Sequence, residues 1–238
     1  MTAPRWSVVI PAYNEALRLG PYLDEVVAHL DGRGEPYEVI VVDDGSTDGT
    51  PDAVEARRHP AVRVLRLRRN SGKGAAVRAG MLEARGAYRL FADADGATPI
   101  AEMKRLEPAL TAGADIVIGS RVLVDPAVSL TTRPHRVRAG RVFNWLVARL
   151  GLRGVADSQC GFKAFTAEAA NGLFGGLRTR GFGFDVELLL MAQATRYRIV
   201  EVAVNWADQP GSKVGVLRHG PGMLWQIVRA SLRAGRAG

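Results

Sequence analysis

The chain has 238 residues, of which 47% are apolar and 24% are charged, and it carries a formal net charge of +8. This composition is typical of one ordinary α/β domain or two small ones, and it excludes a disordered tail, a collagen-like fibre and a coiled coil. The single cysteine cannot form an internal disulfide, and no apolar run approaches the ~18 residues of a membrane-spanning helix. We therefore expect a cytosolic globular protein.

Predicted strands and helices alternate along the first 120 residues. The apolar, β-branched runs that predict strands lie at 7–11, 38–45, 62–67, 88–95 and 114–120. Helical patterns separate them, the clearest at 73–84. Strands of this kind, separated by helices, indicate an α/β fold with a mostly parallel central sheet and helices on both faces.

Polar residues follow four of these strands in turn, in the segments 11–15, 43–50, 70–74 and 93–96. Each segment alone is typical of a turn or a helix cap, because Asp, Ser and Gly are common there. Ligands of parallel sheets bind beyond the carboxyl ends of the strands, so four such segments at one edge favour a nucleotide site. The P-loop and dinucleotide-binding patterns are both absent from the sequence.

Two carboxylates, Asp93 and Asp95, stand one residue apart at the end of the fourth predicted strand. Such a pair can hold a hard divalent cation when water and a ligand phosphate complete the coordination sphere. The sequence therefore predicts a metal-assisted phosphate site at this edge.

The second half of the chain carries the whole excess of positive charge. Residues 120–238 contain 17 basic and 7 acidic residues, whereas residues 1–119 contain 15 and 17. This asymmetry predicts an anionic partner, either a phosphate ligand, an anionic lipid or a nucleic acid. Two helical patterns there, at 138–151 and 222–235, combine arginines with Trp145 or Trp225, as in helices that lie among lipid headgroups. The alternative is two core-facing helices with solvated arginines.

The motifs SVVIPAYNE, VVDDGSTDGT, NSGKGAAVRAGM and FADADGA, in this order and spacing, resemble the family-2 glycosyltransferases of the GT-A fold. The later motifs DSQCGFKAF, GFGFDVELL and VNWADQPGSKV are similar to polyprenyl-phosphate sugar synthases, most closely to the dolichyl-phosphate β-glucosyltransferase branch. The resemblance runs from residue 7 to about residue 215. The sequence departs from this pattern at Phe182, where the family leads us to expect Trp, and in lacking the transmembrane helices of many relatives.

The resemblance implies a Rossmann-like GT-A nucleotide-diphospho-sugar transferase domain in two halves. Residues 1–120 would bind the nucleotide sugar, residues 121–215 would bind the acceptor, and residues 216–238 would form a basic amphipathic C-terminal helix. The implied reaction is inverting transfer of glucose from UDP-glucose to a polyprenyl (dolichyl-type) phosphate, with Mg²⁺ or Mn²⁺. The enzyme would act as a peripheral protein on the inner, cytoplasmic face of the membrane.

Three alternatives stay open from the sequence. The same reaction with GDP-mannose or a UDP-N-acetylhexosamine would use similar base contacts. A basic nucleic-acid-binding protein is an alternative of another class, disfavoured because aromatic residues make up only 7% and no nucleic-acid motif occurs. A homodimer is the alternative to a monomer.

The resemblance also assigns roles to individual residues. Nucleotide-sugar binding falls to a set at the strand ends, namely Pro11, Tyr13, Glu15, Asp43, Lys73, Asp93 and Asp95, and the last two are also the metal ligands. Acceptor-phosphate binding falls to a basic set, namely Arg121, Arg133, Arg138, Lys163 and Lys213. We interpret the neighbouring Asp44, Ser46 and Asp48 as capping residues.

Asp157 matches the position at which relatives have a proposed catalytic base. A phosphate monoester has a second pKa near 6 and is already largely dianionic at neutral pH, so removal of a proton is not obligatory. We therefore expect Asp157, with Asp95 the second catalytic residue, to orient the acceptor or the metal as much as to accept a proton. A turn cap is the alternative for Asp157. Cys160 is expected to be a small buried apolar residue.

Overall fold

The computed structural model describes residues 3–131, 143–209 and 216–234. Its strands are β1 Trp6–Ala12, β2 Tyr37–Asp43, β3 Val62–Arg66, β4 Tyr88–Ala92, β5 Ile116–Ser120, β6 Leu130–Thr131, β7 Phe162–Thr166, β8 Ile199–Ala203 and β9 Trp206–Ala207. Its helices are α1 Leu19–Asp31, α2 Thr50–Glu55, α3 Lys73–Glu83, α4 Met103–Thr111, α5 over 143–149, α6 Ala167–Gly176, α7 Phe184–Ala194 and α8 Val216–Ala234, with a short 3₁₀ turn at Ile100–Glu102.

Seven strands form the central sheet in the order β3-β2-β1-β4-β7-β5-β8, and β6 pairs with β9 at one side. Strand β7 runs antiparallel to both β4 and β5, and the other neighbours in the sheet are parallel. This arrangement confirms the predicted mostly parallel α/β sheet. Strands β1, β2, β4 and β5 are almost continuously buried because helices cover both faces of the sheet.

Two of the predicted strands end earlier than the sequence pattern indicates. Strand β2 stops at Asp43 and β4 stops at Ala92. At the first of these ends, the backbone N–H of Ser46 donates to the Asp43 carboxylate (3.1 Å), and Gly45 adopts a left-handed φ of 73°. The polar residues therefore turn the chain out of the sheet and leave their side chains at its carboxyl edge.

The sequence pattern did not predict strands β6 to β9, and among these β7 matters most for the site. It inserts between β4 and β5, so that Lys163 lies opposite Phe91 on one side and Ile118 on the other. A lysine at the centre of a sheet breaks the apolar pattern of a buried strand, and this segment is known from the sequence only as a motif. Among the described residues, no helix has both the length and the apolar character that crossing a membrane requires.

Candidate active site

Hydrogen bonds join the loops that follow β1 and β2 into one rim. The backbone N–H of Asn14 donates to Ser46 Oγ (2.9 Å), and Thr47 N–H donates to Asn14 Oδ1 (2.8 Å). The Glu15 N–H donates to Thr50 Oγ1 (2.9 Å) at the start of α2. The two loops therefore hold each other in place at the carboxyl ends of neighbouring parallel strands.

The residues assigned to the base and ribose lie on this rim. Pro11 pairs with Val42 across β1 and β2, and Ala12 pairs with Asp43. Asp43 therefore ends β2 next to Tyr13, which directly follows β1. The Tyr13 ring is exposed and the Asp43 carboxylate is buried at the base of the rim. An exposed aromatic face beside a buried carboxylate suits a heterocycle that stacks on one and donates to the other.

Glu15 makes its main contact within the protein. Its two carboxylate oxygens accept from Nε and Nη2 of Arg18, both at 2.7 Å. The structure therefore places Glu15 at this rim, where it fixes the guanidinium of Arg18.

Asp44 shapes the third loop of the edge, as expected of a capping residue. Its carboxylate accepts from the backbone N–H groups of Ser71 (2.7 Å) and Gly72 (2.8 Å), directly before α3. Gly72 has a φ of 99°, and a Cβ there would lie 2.5 Å from the carbonyl oxygen of Arg180. A glycine is required at this position, and the loop delivers Lys73 to the edge.

Lys73 and Asp93 form the ionic centre of the edge, with Lys73 Nζ 2.6 Å from Asp93 Oδ1. Burial lowers the pKa of Lys73, but the charges of Asp93 and Asp185 outweigh it and hold the ammonium protonated, with its pKa above the ordinary value. Gly161 makes room for this carboxylate, because a Cβ there would lie 2.0 Å from Asp93 Oδ2.

Asp95 follows on the same loop, where one carboxylate oxygen accepts from the backbone N–H of Ala97 (3.1 Å). Burial and the neighbouring charge of Asp93 raise the pKa of Asp95. Within the described part of the chain, no group of three or more His, Cys, Asp or Glu side chains is arranged to hold a metal. A cation at Asp93 and Asp95 would therefore take its other ligands from water and phosphate. The donor set fits Mg²⁺ or Mn²⁺, since both prefer oxygen and two crowded carboxylates gain from a divalent charge.

Asp157 and Arg121 form a buried bidentate pair next to this centre. Asp157 Oδ2 accepts from Arg121 Nε (2.7 Å) and from the Arg121 backbone N–H (2.9 Å), and Oδ1 accepts from Nη2 (2.8 Å). Burial raises the pKa of the Asp157 carboxyl, but the hydrogen bonds and charge of Arg121 outweigh it and hold the pKa below its usual range. Asp157 is therefore a fixed anion whose oxygens are occupied by Arg121.

Further contacts hold this pair in place. Glu201 accepts from the backbone N–H groups of Ala156 (2.7 Å) and Asp157 (2.8 Å), which fixes the loop that carries Asp157. The guanidinium of Arg121 lies 5.5 Å from the centre of the Trp206 ring. Arg121 is thus held at one edge by Asp157 and on one face by an aromatic ring, and it is presented at the site as a rigid cation.

Lys163 does not lie on the surface of the site, contrary to the expectation that it contacts the acceptor phosphate. Its side chain is 0% exposed, and Nζ donates to Asp185 Oδ1 (2.5 Å) and to the Cys160 carbonyl (2.6 Å). The unpredicted strand β7 carries it into the sheet, where it needs a buried counter-ion. The charges of Lys73 and Asp93 also shift the pKa of Asp185. The buried pair of Lys163 and Asp185 therefore lies close beneath Lys73 and Asp93 and interacts with them electrostatically.

The remaining predicted residues divide into two groups. Arg133, Arg138 and Lys213 lie outside the described residues. Cys160 is fully buried, and burial raises the pKa of its thiol to about 12, which confirms it as a small interior residue. The sequence reasoning missed Asp185 and Glu201, although an aspartate within the apolar run FDVELLL is a signal of a buried partner.

Comparison with known proteins identifies relatives along most of the chain. The model of glycosyl transferase family 2 matches residues 7–174. The dolichyl-phosphate beta-glucosyltransferases of Drosophila melanogaster and Homo sapiens are 44% and 40% identical to this chain, each over 87% of its length. The chain spans 68% of the fly relative's length and 69% of the human relative's length. A dolichyl-phosphate beta-glucosyltransferase of Trichomonas vaginalis is 42% identical over 87% of this chain, and the chain spans 65% of that relative's length.

Solved structures show the same arrangement of strands and helices. Glucosyl-3-phosphoglycerate synthase from Mycobacterium tuberculosis, in complex with Mn²⁺ and UDP-glucose, has a TM-score of 0.71 and 23% identity, covering 97% of this chain and 79% of that chain. Its complex with Mn²⁺, UDP and glucosyl-3-phosphoglycerate has a TM-score of 0.72. At this level of identity the likeness is one of fold.

Proposed function

The chain belongs to glycosyl transferase family 2 and has the GT-A fold, and from this premise we propose that it transfers glucose from UDP-glucose to a polyprenyl phosphate. The observation that carries the proposal is the meeting of two charged pairs at one sheet edge, Lys73 with Asp93 and Arg121 with Asp157. The charge of Asp93 also acts on Arg121, so the two pairs share one site. The names of the dolichyl-phosphate relatives support the choice of sugar and acceptor.

The donor would lie along the rim, with its base against Tyr13 and Asp43 and its diphosphate toward Lys73. Asp93 and Asp95 would hold a divalent cation there, which supplies positive charge to the departing diphosphate. Lys73 adds a fixed positive charge at the same place, so the leaving group meets a site prepared for negative charge. The mycobacterial synthase of the same fold is seen with Mn²⁺ and UDP-glucose, which supports the choice of a divalent cation and this donor.

The acceptor phosphate would approach Arg121 from the other side. One phosphate oxygen forms a bond to the anomeric carbon while the bond from that carbon to the diphosphate oxygen breaks. The electron pair of the broken bond leaves on UDP, and attack opposite the leaving group inverts the configuration. Because the phosphate is already largely dianionic, the role of Asp157 is to hold Arg121 against the acceptor.

A membrane-facing surface would bring a lipid acceptor to this site. Helix α8 buries Ile227 and Ala230 against the rest of the protein. Its other face carries an apolar stripe whose residues are between 37% and 63% exposed, namely Leu224, Trp225, Val228 and Leu232. The guanidinium of Arg229 lies 4.5 Å from the Trp225 ring, and Arg149 on α5 lies 4.7 Å from Trp145 in the same way. Exposed tryptophans with arginines suit a peripheral position among the headgroups of the inner, cytoplasmic membrane face.

The double variant Trp225→Ala/Leu232→Ala should partition at least about tenfold more weakly onto vesicles containing phosphatidylglycerol. Two large apolar side chains would no longer enter the interface. Burial of each contributes about 1.5–3 kcal/mol to the free energy of binding, and a loss of about 1.4 kcal/mol weakens binding tenfold. Vesicle co-sedimentation measures the loss. The matched control is Leu17→Ala/Val124→Ala, which removes two isolated apolar side chains that are 94% and 97% exposed. Equal partitioning of the two double variants would contradict the proposal that α8 contacts the membrane.

A donor screen tests the choice of nucleotide sugar. Purified protein, polyprenyl phosphate and Mg²⁺ or Mn²⁺ are incubated with labelled UDP-glucose, UDP-N-acetylhexosamine or GDP-mannose. We expect label in the lipid product from UDP-glucose. Transfer only from another donor would contradict UDP-glucose as the substrate and identify that donor instead. A salt-sensitive mobility shift with DNA or RNA at physiological salt, without transfer from any donor, would favour the nucleic-acid alternative.

A further inference from the structure

A second cleft opens behind the loop that delivers Lys73. It has a volume of about 460 Å³ and is lined by the end of the β3 loop, the outer face of α3 and the segment before α7. At about 100° per residue, Ala75 and Arg78 lie about 200° and 140° around α3 from Lys73. The cleft is therefore on the opposite side of α3 from the donor edge.

Arginines dominate the rim of this cleft. Arg78, Arg178 and Arg180 line it, over a floor that includes the apolar side chains of Leu67 and Leu177. Three positive charges thus line one concave surface. Two further exposed arginines, at positions 68 and 69, lie in the loop between the lining residues Leu67 and Ser71.

These arginines lack acidic partners within the part of the chain that the structure describes. The side chain of Arg78 donates only to the Gly175 carbonyl (3.3 Å), and no carboxylate contacts Arg178 or Arg180. By contrast, Arg66, at the end of β3, lies 2.9 Å from Asp52 and 2.8 Å from Glu55.

Two carboxylates that contact lining residues of the cleft, Asp44 and Glu187, are already engaged. Asp44 accepts from the loop backbone at Ser71 and Gly72. Glu187 accepts from Thr179 N–H (2.6 Å) and from Arg233 (2.6 Å). The mutual repulsion of the rim arginines is therefore not compensated from within the described structure, and an anion in the cleft would relieve it.

We propose that this cleft binds the phosphate group of a second anionic ligand, separate from the donor edge. Guanidinium groups with unused donors match the geometry of phosphate oxygens, and several of them around one cavity favour a doubly charged phosphomonoester or a diphosphate. The site is independent of which donor the enzyme uses.

Two sources of this phosphate chemistry are distinguishable. Arg233 of α8 donates to Thr179 Oγ1 (3.4 Å) on the cleft wall, so the helix with the exposed apolar stripe borders the cleft. An anionic lipid headgroup is one source, and a soluble phosphorylated compound is the other.

Calorimetric titration with pyrophosphate in the presence of EDTA tests the site without metal-dependent binding at Asp93 and Asp95. The wild-type protein should bind the probe saturably, and Arg178→Gln/Arg180→Gln should weaken binding by about tenfold or more. The matched control, Arg58→Gln/Arg196→Gln, removes the same charge from two exposed arginines that have no carboxylate partner among the described residues, and it should change the affinity by less than about twofold.

Arg121→Gln should also leave pyrophosphate binding intact, because it alters only the catalytic edge. No saturable binding to wild type, equal weakening in the control pair, or loss in Arg121→Gln would overturn the proposal. Phosphatidylcholine vesicles with and without phosphatidylglycerol then identify the source. If the cleft variant loses phosphatidylglycerol-dependent binding, the ligand is a lipid headgroup. If it keeps that binding while losing pyrophosphate, the ligand is soluble.

Discussion

Asp95→Asn is expected to lower glucosyl transfer by about 10³-fold or more while leaving the fold intact. The substitution removes one of two carboxylates that would hold the divalent cation. Positive charge at the leaving group stabilises the transition state by several kcal/mol, and each loss of about 1.4 kcal/mol lowers the rate tenfold. Asparagine keeps the shape of the side chain and an oxygen that can accept from the Ala97 N–H. The structural cost should therefore be small.

The measurement is kcat as a function of Mn²⁺ concentration, together with thermal unfolding of both proteins. Asp52→Asn is the matched control, since it removes one carboxylate from an exposed pair with Arg66. Its kcat should be that of wild type. Wild-type turnover of Asp95→Asn at saturating metal would contradict the assignment of Asp93 and Asp95 as cation ligands.

The second large effect is expected at Arg121 and Asp157. Arg121→Gln should lower kcat/KM for the polyprenyl phosphate by about 10²–10³-fold, because it removes the guanidinium that would bind the acceptor phosphate. Asp157→Asn should lower it by about 10²-fold through Arg121, since an amide nitrogen replaces one of the two accepting oxygens. The double variant should cost little more than Arg121→Gln alone, because the two side chains act as a unit.

The pH profile of kcat/KM separates a positioning role of Asp157 from a catalytic base. The folded pKa of Asp157 lies below its ordinary value, so the carboxylate stays ionised throughout the working range from about pH 5.5 to 9. An acid limb near pH 6 should come from the acceptor phosphate itself and should persist in Asp157→Asn. Disappearance of that limb in the variant, with the fold retained, would assign Asp157 as the base.

Strands β1 to β5 were predictable because each follows a local pattern. Buried parallel strands such as β2 are continuous apolar runs, and the turn residues Asp43 and Asp44 mark where they end. The different tasks of these two aspartates were also predictable in part, since a cap needs a carboxylate close to backbone N–H groups in the next loop.

The antiparallel strand β7 and the charged pairs were not predictable in the same way. Strand β7 has five residues, of which the second is a lysine, and Lys163 is tolerated there only because Asp185, 22 positions away, reaches it. Arg121 and Asp157 are 36 positions apart. Motif resemblance placed Arg121, Asp157 and Lys163 at the site, but only the tertiary packing decides which carboxylate is paired and which cation is exposed.

The most direct test of the central claim is the phase in which labelled glucose is recovered. Purified protein is given UDP-[¹⁴C]glucose with Mn²⁺ and either polyprenyl phosphate or a soluble phosphate ester such as 3-phosphoglycerate, and the organic and aqueous phases are counted. We expect metal-dependent label in the organic phase with polyprenyl phosphate and no glucosylated product with the soluble ester. Label transferred only to the soluble ester, or no transfer to polyprenyl phosphate despite tight UDP-glucose binding, would contradict the lipid acceptor.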